Sequence, residues 1–350
     1  MTMKEILPIV MNDQFETLAI IDDYVSLIWS SRYYATGDFE LVVNVSDRYM
    51  YLFKQDYYIK RDDDDENVGV IEKISIQRSE DGKNIMVVSG RFLDCLLARR
   101  IIATQTTLAG KFSACILQLL NDNVINPAIA DRRISNFIAD TGSFTDAIDA
   151  QYTGKNLLEV ICDLCKTYSI GFKVTLNNQN QFVFSLYQGD DHSYDQNVNP
   201  WIVFSDQYDN LLSANYEENY TNISTAVLVA GEGEGVDRTT VWVTDGNTGI
   251  SRHETYLDQR NIRSNGKKIK PAKYIKLLQQ AGKGALTAYT TAFAGVVYFD
   301  SDTYRNQVKL GDICVIENTE WGISINSRLV EVIESVSETG EYSVVPSFGL

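Results

Sequence analysis

Histidine is nearly absent from this 350-residue chain. His192 and His253 are the two copies, which removes the basis for a multi-histidine metal centre. Cysteine is sparse and odd in number, at Cys95, Cys115, Cys162, Cys165 and Cys314, so reduced thiols are expected rather than a disulfide scaffold. Proline occurs five times against 20 Tyr and 14 Phe, a balance that leans towards strands, whose half-buried surface suits aromatic side chains. Positive charge is also short. Lys and Arg number 31, Asp and Glu 47, and the net charge of −16 argues against binding phosphate backbones or docking on an anionic membrane. No apolar run approaches the roughly 18 residues of a spanning helix. The first 13 residues, with one Lys, a Pro at position 8 and Asn12-Asp13 close behind, make a poor signal peptide. The chain is expected to be soluble and made in a cytoplasm.

What is present reads as an ordinary globular composition, 44% apolar and 22% charged, long enough for two or three domains. Phe39, Leu41, Val43 and Val45 alternate on one face of a strand. Beyond the acidic run Arg61–Asn67, Val70–Gln77 and Ile85–Ser89 read as a hairpin with Asp81-Gly82 at its turn. The period then changes. Phe112, Cys115, Ile116, Leu119 and Leu120 mark one helix, and Leu157, Ile161, Leu164 and Tyr168 a second over about 156–168, with Gly171 just past its end. Phe172–Leu176 and Phe182–Leu186 alternate around an Asn-rich turn, so 105–190 reads as a small α+β unit. Asp190–Pro200 is polar and reads as a linker. Strands are expected at Trp201–Ser205, Ala226–Ala230 and Thr239–Thr244. A helix should start at Pro271, with Tyr274, Leu277, Leu278, Ala281 and Ala285 as its stripe, and the last 50 residues return to strands. The hairpin at 70–88 is echoed by Leu329–Val345, which suggests two related small β-barrels.

The candidate chemistry is thin. Cys162-Asp-Leu-Cys165 has redox or zinc spacing, but it lies inside a helical pattern and no second Cys pair or nearby His completes a ligand set. Gly231-Glu-Gly-Glu-Gly235 resembles a phosphate loop, yet the third glycine position falls on Val236 and a strand follows in place of a helix; a hairpin connection is expected. Asp62–Glu66 has the composition of a calcium loop without its spacing, because Val68 and Ser75 stand where oxygen ligands belong; a solvated loop is expected. No Gly-x-Ser-x-Gly elbow is present. No catalytic, cofactor-binding or metal-ligating residue is therefore assigned.

The more informative stretch is Leu27-Ile-Trp-Ser-Ser-Arg-Tyr-Tyr-Ala-Thr-Gly-Asp-Phe-Glu-Leu41. It is followed in order by Gly69–Ile74, Ser89-Gly-Arg-Phe-Leu-Asp-Cys-Leu-Leu-Ala-Arg-Arg-Ile101, Val203–Leu212, Asn222, Val229–Gly235, Arg238 and the Val308–Asp312 turn. This series resembles the central tail-hub (baseplate hub) proteins of bacteriophages and phage-like particles, in siphophage and contractile tails, including Siphovirus Gp37-like tail proteins. The resemblance spans most of the chain. It implies an α+β, strand-rich phage tail-hub fold: two small β-barrel domains plus two small α+β lobes. It also implies a homotrimer whose six barrels make a quasi-six-fold ring, with a tail tube or distal tail protein on one side and a spike or tape-measure protein on the other. DNA would pass through the centre without specific nucleic-acid binding, and no membrane insertion is implied.

The expected boundaries are 1–104 for the first barrel, 105–198 for the central lobe, 199–240 with 300–350 for the second barrel, and 241–299 for an inserted lobe. Since the sequence ends straight after its last hairpin, no appended enzyme is expected. The competing readings are a tail-associated cell-wall hydrolase with a carboxylate pair, and a receptor- or glycan-binding tail protein. The expected location is the virion tail or baseplate.

Overall fold

The computed structural model describes residues 6–349 apart from 79–81, 83, 265, 267–268, 288–289, 298 and 300–302. In the first part, β1 (Pro8–Met11), β2 (Thr17–Ile20), β3 (Tyr24–Arg32) and β4 (Asp38–Asn44) precede the short helix α1 (Asp47–Leu52). Ser46 caps α1 by accepting from the Tyr49 amide. β5 (Tyr58–Arg61), β6 (Val68–Arg78) and β7 (Asn84–Phe92) follow. The period-two face read in the sequence is the buried one, with Phe39, Leu41 and Val43 in the core beside Trp29. β6 and β7 form the expected hairpin. Asp81 of its turn lies outside the described residues; Gly82 adopts φ +85°, which glycine takes without strain.

The central lobe contains β8 (Thr106–Lys111), α2 (Phe112–Leu120), β9 (Phe137–Asp140), β10 (Ala147–Tyr152), α3 (Leu157–Thr167), β11 (Gly171–Leu176) and β12 (Phe182–Tyr187). Both helical stripes face one core, which also takes in Phe172 and Phe184 from the β11–β12 hairpin. Asn156 caps α3, its side-chain oxygen accepting from the amides of Leu158 and Glu159. The turn out of α3 is made by Ser169, at φ +56°, rather than by Gly171, which begins β11.

The remainder comprises β13 (Val203–Ser205), β14 (Leu211–Asn219), β15 (Ala226–Ala230), β16 (Thr240–Thr244), β17 (Glu254–Asp258), α4 (Pro271–Ala285), β18 (Thr290–Val297), β19 (Ile313–Asn318), β20 (Ile323–Val336) and β21 (Tyr342–Gly349). α4 starts at Pro271 as expected and buries Tyr274, Leu277 and Leu278. Two expectations change here. β15 belongs with the inserted segment: it pairs with β16 and β17, and Val227 and Val229 pack with α4 in a separate small core. The stretch Asp190–Pro200 is not a loose linker. Gln196 accepts from the amides of Val198 and Asn199 and donates to the carbonyls of Ser193 and Asn199, so its side chain satisfies the backbone that a sheet would otherwise satisfy.

The strands of the first and last parts join in one eleven-stranded sheet, in the order β13-β19-β20-β3-β4-β7-β6-β5-β1-β2 with β21 also on β20. No ring of strands closes among the described residues, so the expected pair of small barrels appears as two cores under one continuous sheet. One core gathers around Trp29 and the other around Phe204, Val308 and Leu329. The seam is the pairing of Glu331–Val336 on β20 with Leu27–Arg32 on β3. The two echoed hairpins, β6–β7 and β20–β21, flank the β3–β4 hairpin on opposite sides. Among the described residues no helix is long and apolar enough to cross a membrane.

Candidate functional site

At the seam, charges sit where an apolar side chain is the rule. On β20, Val332, Glu334 and Val336 share the core face, and on β5 Ile59 and Arg61 do the same; Glu334 and Arg61 are 2% and 1% exposed. They meet across 273 positions of sequence. Arg61 holds Asp63 through Nε–H and Nη2–H, both at 2.8 Å, and Nη2–H also reaches Glu334 Oε1 at 3.0 Å. Arg305 donates to both Glu334 oxygens at 3.1 and 3.2 Å, and the Tyr342 hydroxyl donates to Oε1 at 2.5 Å. The Arg61 guanidinium lies 5.8 Å from the Trp29 ring centroid, and Trp29 Nε1–H donates to Asp64 at 2.9 Å. Burial opposes the charge of Arg61, but hydrogen bonding to Asp63 and the charge of Glu334 outweigh it and hold the guanidinium protonated. Burial and Glu334 together push the Tyr342 hydroxyl upward.

The acidic run therefore departs from the solvated loop expected of it. Asp64 is 8% exposed and accepts from the amides of Glu66 and Asn67 as well as from Trp29, while Asp62 accepts from the Leu7 amide. Their lone pairs serve the fold.

Beside this network lies a cavity of about 530 Å³ walled by all three parts of the chain, including Asp94, Phe172, Lys173, Tyr187, Asp190 and Asp312. Asp94 is the unusual member. Its Oδ1 is buried without a hydrogen-bond partner, and burial pushes its carboxyl up to about 7. Near the cavity, Tyr33 locks the three parts together. Its ring lies against Gly171 and Gly311, where a Cβ would fall 2.2 and 2.4 Å from the ring, and its hydroxyl donates to the carbonyls of Ser169 and Tyr187. Glycine is required at both places by this close approach. Neither Asp94 nor the Arg61–Glu334 pair is a candidate in the sequence. The available signal is a charged residue at a core-facing strand position, as at Glu334.

The motifs singled out in the sequence are dispersed. The opening one is architectural: Trp29 and Tyr33 are fully buried, and Arg32 bridges Asp38 and Glu331. Cys165 is buried on α3, and burial pushes the Cys162 thiol up to about 12, far from a reactive thiolate. Gly231–Gly235 joins β15 to β16, with Arg238 folded back onto the carbonyls of Gly231 and Ala230. His253 stands before β17, and its backbone binds Thr225. His192 lies at the cavity end of the 190–200 segment, near Asp312.

The outer surface carries a second pattern. Of four tryptophans only Trp29 is buried; Trp201, Trp242 and Trp321 are 57%, 44% and 48% exposed. Trp321 and Tyr208 stand at one end of the β13–β19 edge, where Asp206 accepts from Thr319 and ties the two turns together. Trp242 lies on the inserted lobe with Arg252 4.8 Å from its ring.

The family model described as Siphovirus ReqiPepy6 Gp37-like protein matches residues 7–350. No curated protein matches the chain. Among solved structures, the chain is similar to the tail protein from Neisseria meningitidis MC58, with TM-score 0.59 and 14% identity over 99% of this chain and 97% of that one. It is similar to a 43 kDa tail protein of prophage MuSo2 from Shewanella oneidensis, with TM-score 0.58 and 14% identity over 98% of each chain. The prophage tail protein gp18 from Listeria monocytogenes EGD-e gives TM-score 0.55 and 13% identity over 99% of this chain and 93% of that one. At these identities the likeness is one of fold.

Proposed function

The chain belongs to the Siphovirus ReqiPepy6 Gp37-like family, and from that premise we propose that it is a non-enzymatic structural hub of a phage-type tail tip. In this reading three copies form a ring. Each contributes two barrel-like halves, one over each of the two cores, so that six similar units meet a six-fold tail tube while the three-fold axis receives a spike or tape-measure end. The central lobe at about 105–198 and an inserted lobe at about 223–287, redrawn to include β15, stand outside those halves. The protein then resides in the virion tail, and DNA passes through the ring without sequence-specific contact.

The observation that carries the reading is the division of the tryptophans. The motif indole is sealed at the seam, whereas the other three stand on outer surfaces, where exposed aromatics mark surfaces for other chains. The strongly acidic composition supports passage of DNA past the wall, since like charge discourages adhesion. A cell-wall hydrolase would draw on Asp94, a carboxyl that is half-protonated near neutrality beside other cavity carboxylates.

Native mass spectrometry and imaging of assembled tails test the proposal. A trimer and a three-fold ring are expected. A monomer at micromolar concentration with no trimer in tails, or release of sugar fragments from cell walls that Asp94→Asn abolishes, overturns it.

A further inference from the structure

We propose that Asp190, His192 and Asp312 bind one divalent transition-metal ion, with Zn²⁺ as the best match, and that this ion clips the 190–200 segment to the turn preceding β19. One ligand atom from each of the three residues lies within 4.8 Å of the others.

The imidazole supplies the decisive geometry. His192 Nδ1 is 2.8 Å from the Pro200 carbonyl oxygen, and because a carbonyl only accepts, Nδ1 carries the ring proton. The other ring nitrogen, Nε2, faces Asp312 Oδ2, 3.6 Å away. That separation is too long for a hydrogen bond and suits two ligands of one ion, each about 2 Å from it. A metal-bound histidine is oriented in the same way, its second N–H donated to a backbone carbonyl outside the site.

The carboxylates are arranged to match. Asp312 is 3% exposed, and its oxygens accept from the amides of Asp190 and Lys309, at 2.8 and 2.7 Å, which fixes its plane. The Asp190 carboxylate is exposed and accepts no hydrogen bond among the described residues; it is held near by its own backbone, which also accepts from the Ile313 amide. A separate observation points the same way. Asp190 and Asp312 line the seam cavity, whose wall carries eight carboxylates against four Lys or Arg side chains and includes the unpartnered buried oxygen of Asp94. One imidazole with two carboxylates suits zinc better than calcium or magnesium, which take oxygen ligands alone. Three protein ligands leave further coordination positions for water or a group of a neighbouring chain. This inference stands independently of the tail-hub reading.

Isothermal titration of the EDTA-treated full chain with ZnCl₂ tests it. One saturable site in the micromolar range or tighter is expected, with a rise in Tm on loading. Asp190→Asn keeps the backbone contacts and should weaken binding by about tenfold or more, while its Tm in EDTA stays at the wild-type value. His192→Gln should abolish binding. With Co²⁺ in place of Zn²⁺, visible absorption bands should appear in the wild type and be lost in His192→Gln. The absence of saturable Zn²⁺ uptake, or uptake unchanged in both variants, overturns the proposal.

Discussion

Among the described residues the same pair, a guanidinium over an indole, occurs twice, and the two copies differ in nearly everything else. Inside, Arg61 lies over Trp29 with neither side chain open to water, and its charge is neutralised by Asp63, two residues on in the turn after β5, and by Glu334 on the distant strand β20. Outside, Arg252 lies over Trp242 on the inserted lobe, both partly exposed, with Glu254 two residues away as the counter-charge. The inner pair is costly to form and fixes which strands meet, because a desolvated cation tolerates one arrangement of its carboxylates. The outer pair is nearly free to form and leaves an indole face to be covered. The contrast separates residues that build the subunit from those that, under the proposed function, would build the particle.

The largest effect should come from breaking the inner pair. Glu334→Ala leaves two guanidinium groups, Arg61 and Arg305, facing a lost carboxylate, and should cost about 3–5 kcal/mol of unfolding free energy, measured by urea denaturation. A cost below about 1 kcal/mol would mean that the seam is held by its ladder alone.

A smaller effect should come from Asp94, which tests whether the cavity beside that pair is polar by design. Its folded carboxyl titrates near 7, against about 3.8 ordinarily, so the folded chain binds the proton more tightly than the unfolded chain does. Stability contributed by the protonated form is complete below about pH 4 and is lost as pH rises through 7. Asp94→Asn should therefore nearly match the wild type at pH 4 and exceed it at pH 8, by up to about 4 kcal/mol. Thermal unfolding at the two pH values checks the difference.

The smallest effect on the isolated chain belongs to the outer surface. Trp242→Ser with Trp321→Ser should change stability by no more than about 0.5 kcal/mol each, while incorporation into tails, scored by imaging, should fall sharply. Wild-type incorporation would place the assembly surface elsewhere.

Local periodicity made much of the fold legible. Phe112 to Leu120, Leu157 to Tyr168 and Tyr274 to Ala285 announce their helices, and the β6–β7 and β11–β12 hairpins announce themselves through alternation around a turn. Longer-range facts left less trace. An aspartate facing water and one facing Arg61 look alike in sequence, so the run at 62–65 gives no hint that Asp64 is buried. Five apolar residues at Ala226–Ala230 carry no address, and only the packing against α4 assigns β15 to the inserted lobe. Gln196 and Asn199 belong to the polar composition expected of a linker, yet their hydrogen bonds pin it. The seam itself pairs residues about 300 positions apart, and its one local clue was a glutamate on the core face of β20.

That seam has a mechanical consequence. β20 runs unbroken from its pairing with β19 to its pairing with β3, so the two cores share one strand as a common girder. A pull along the strands stresses the whole β3–β20 ladder at once in shear, instead of peeling its bonds one by one. The two halves therefore move together under load. In the ring proposed above, the compliance needed to widen it would then fall to the contacts between copies and to the inserted lobe on its β14–β18 stalk.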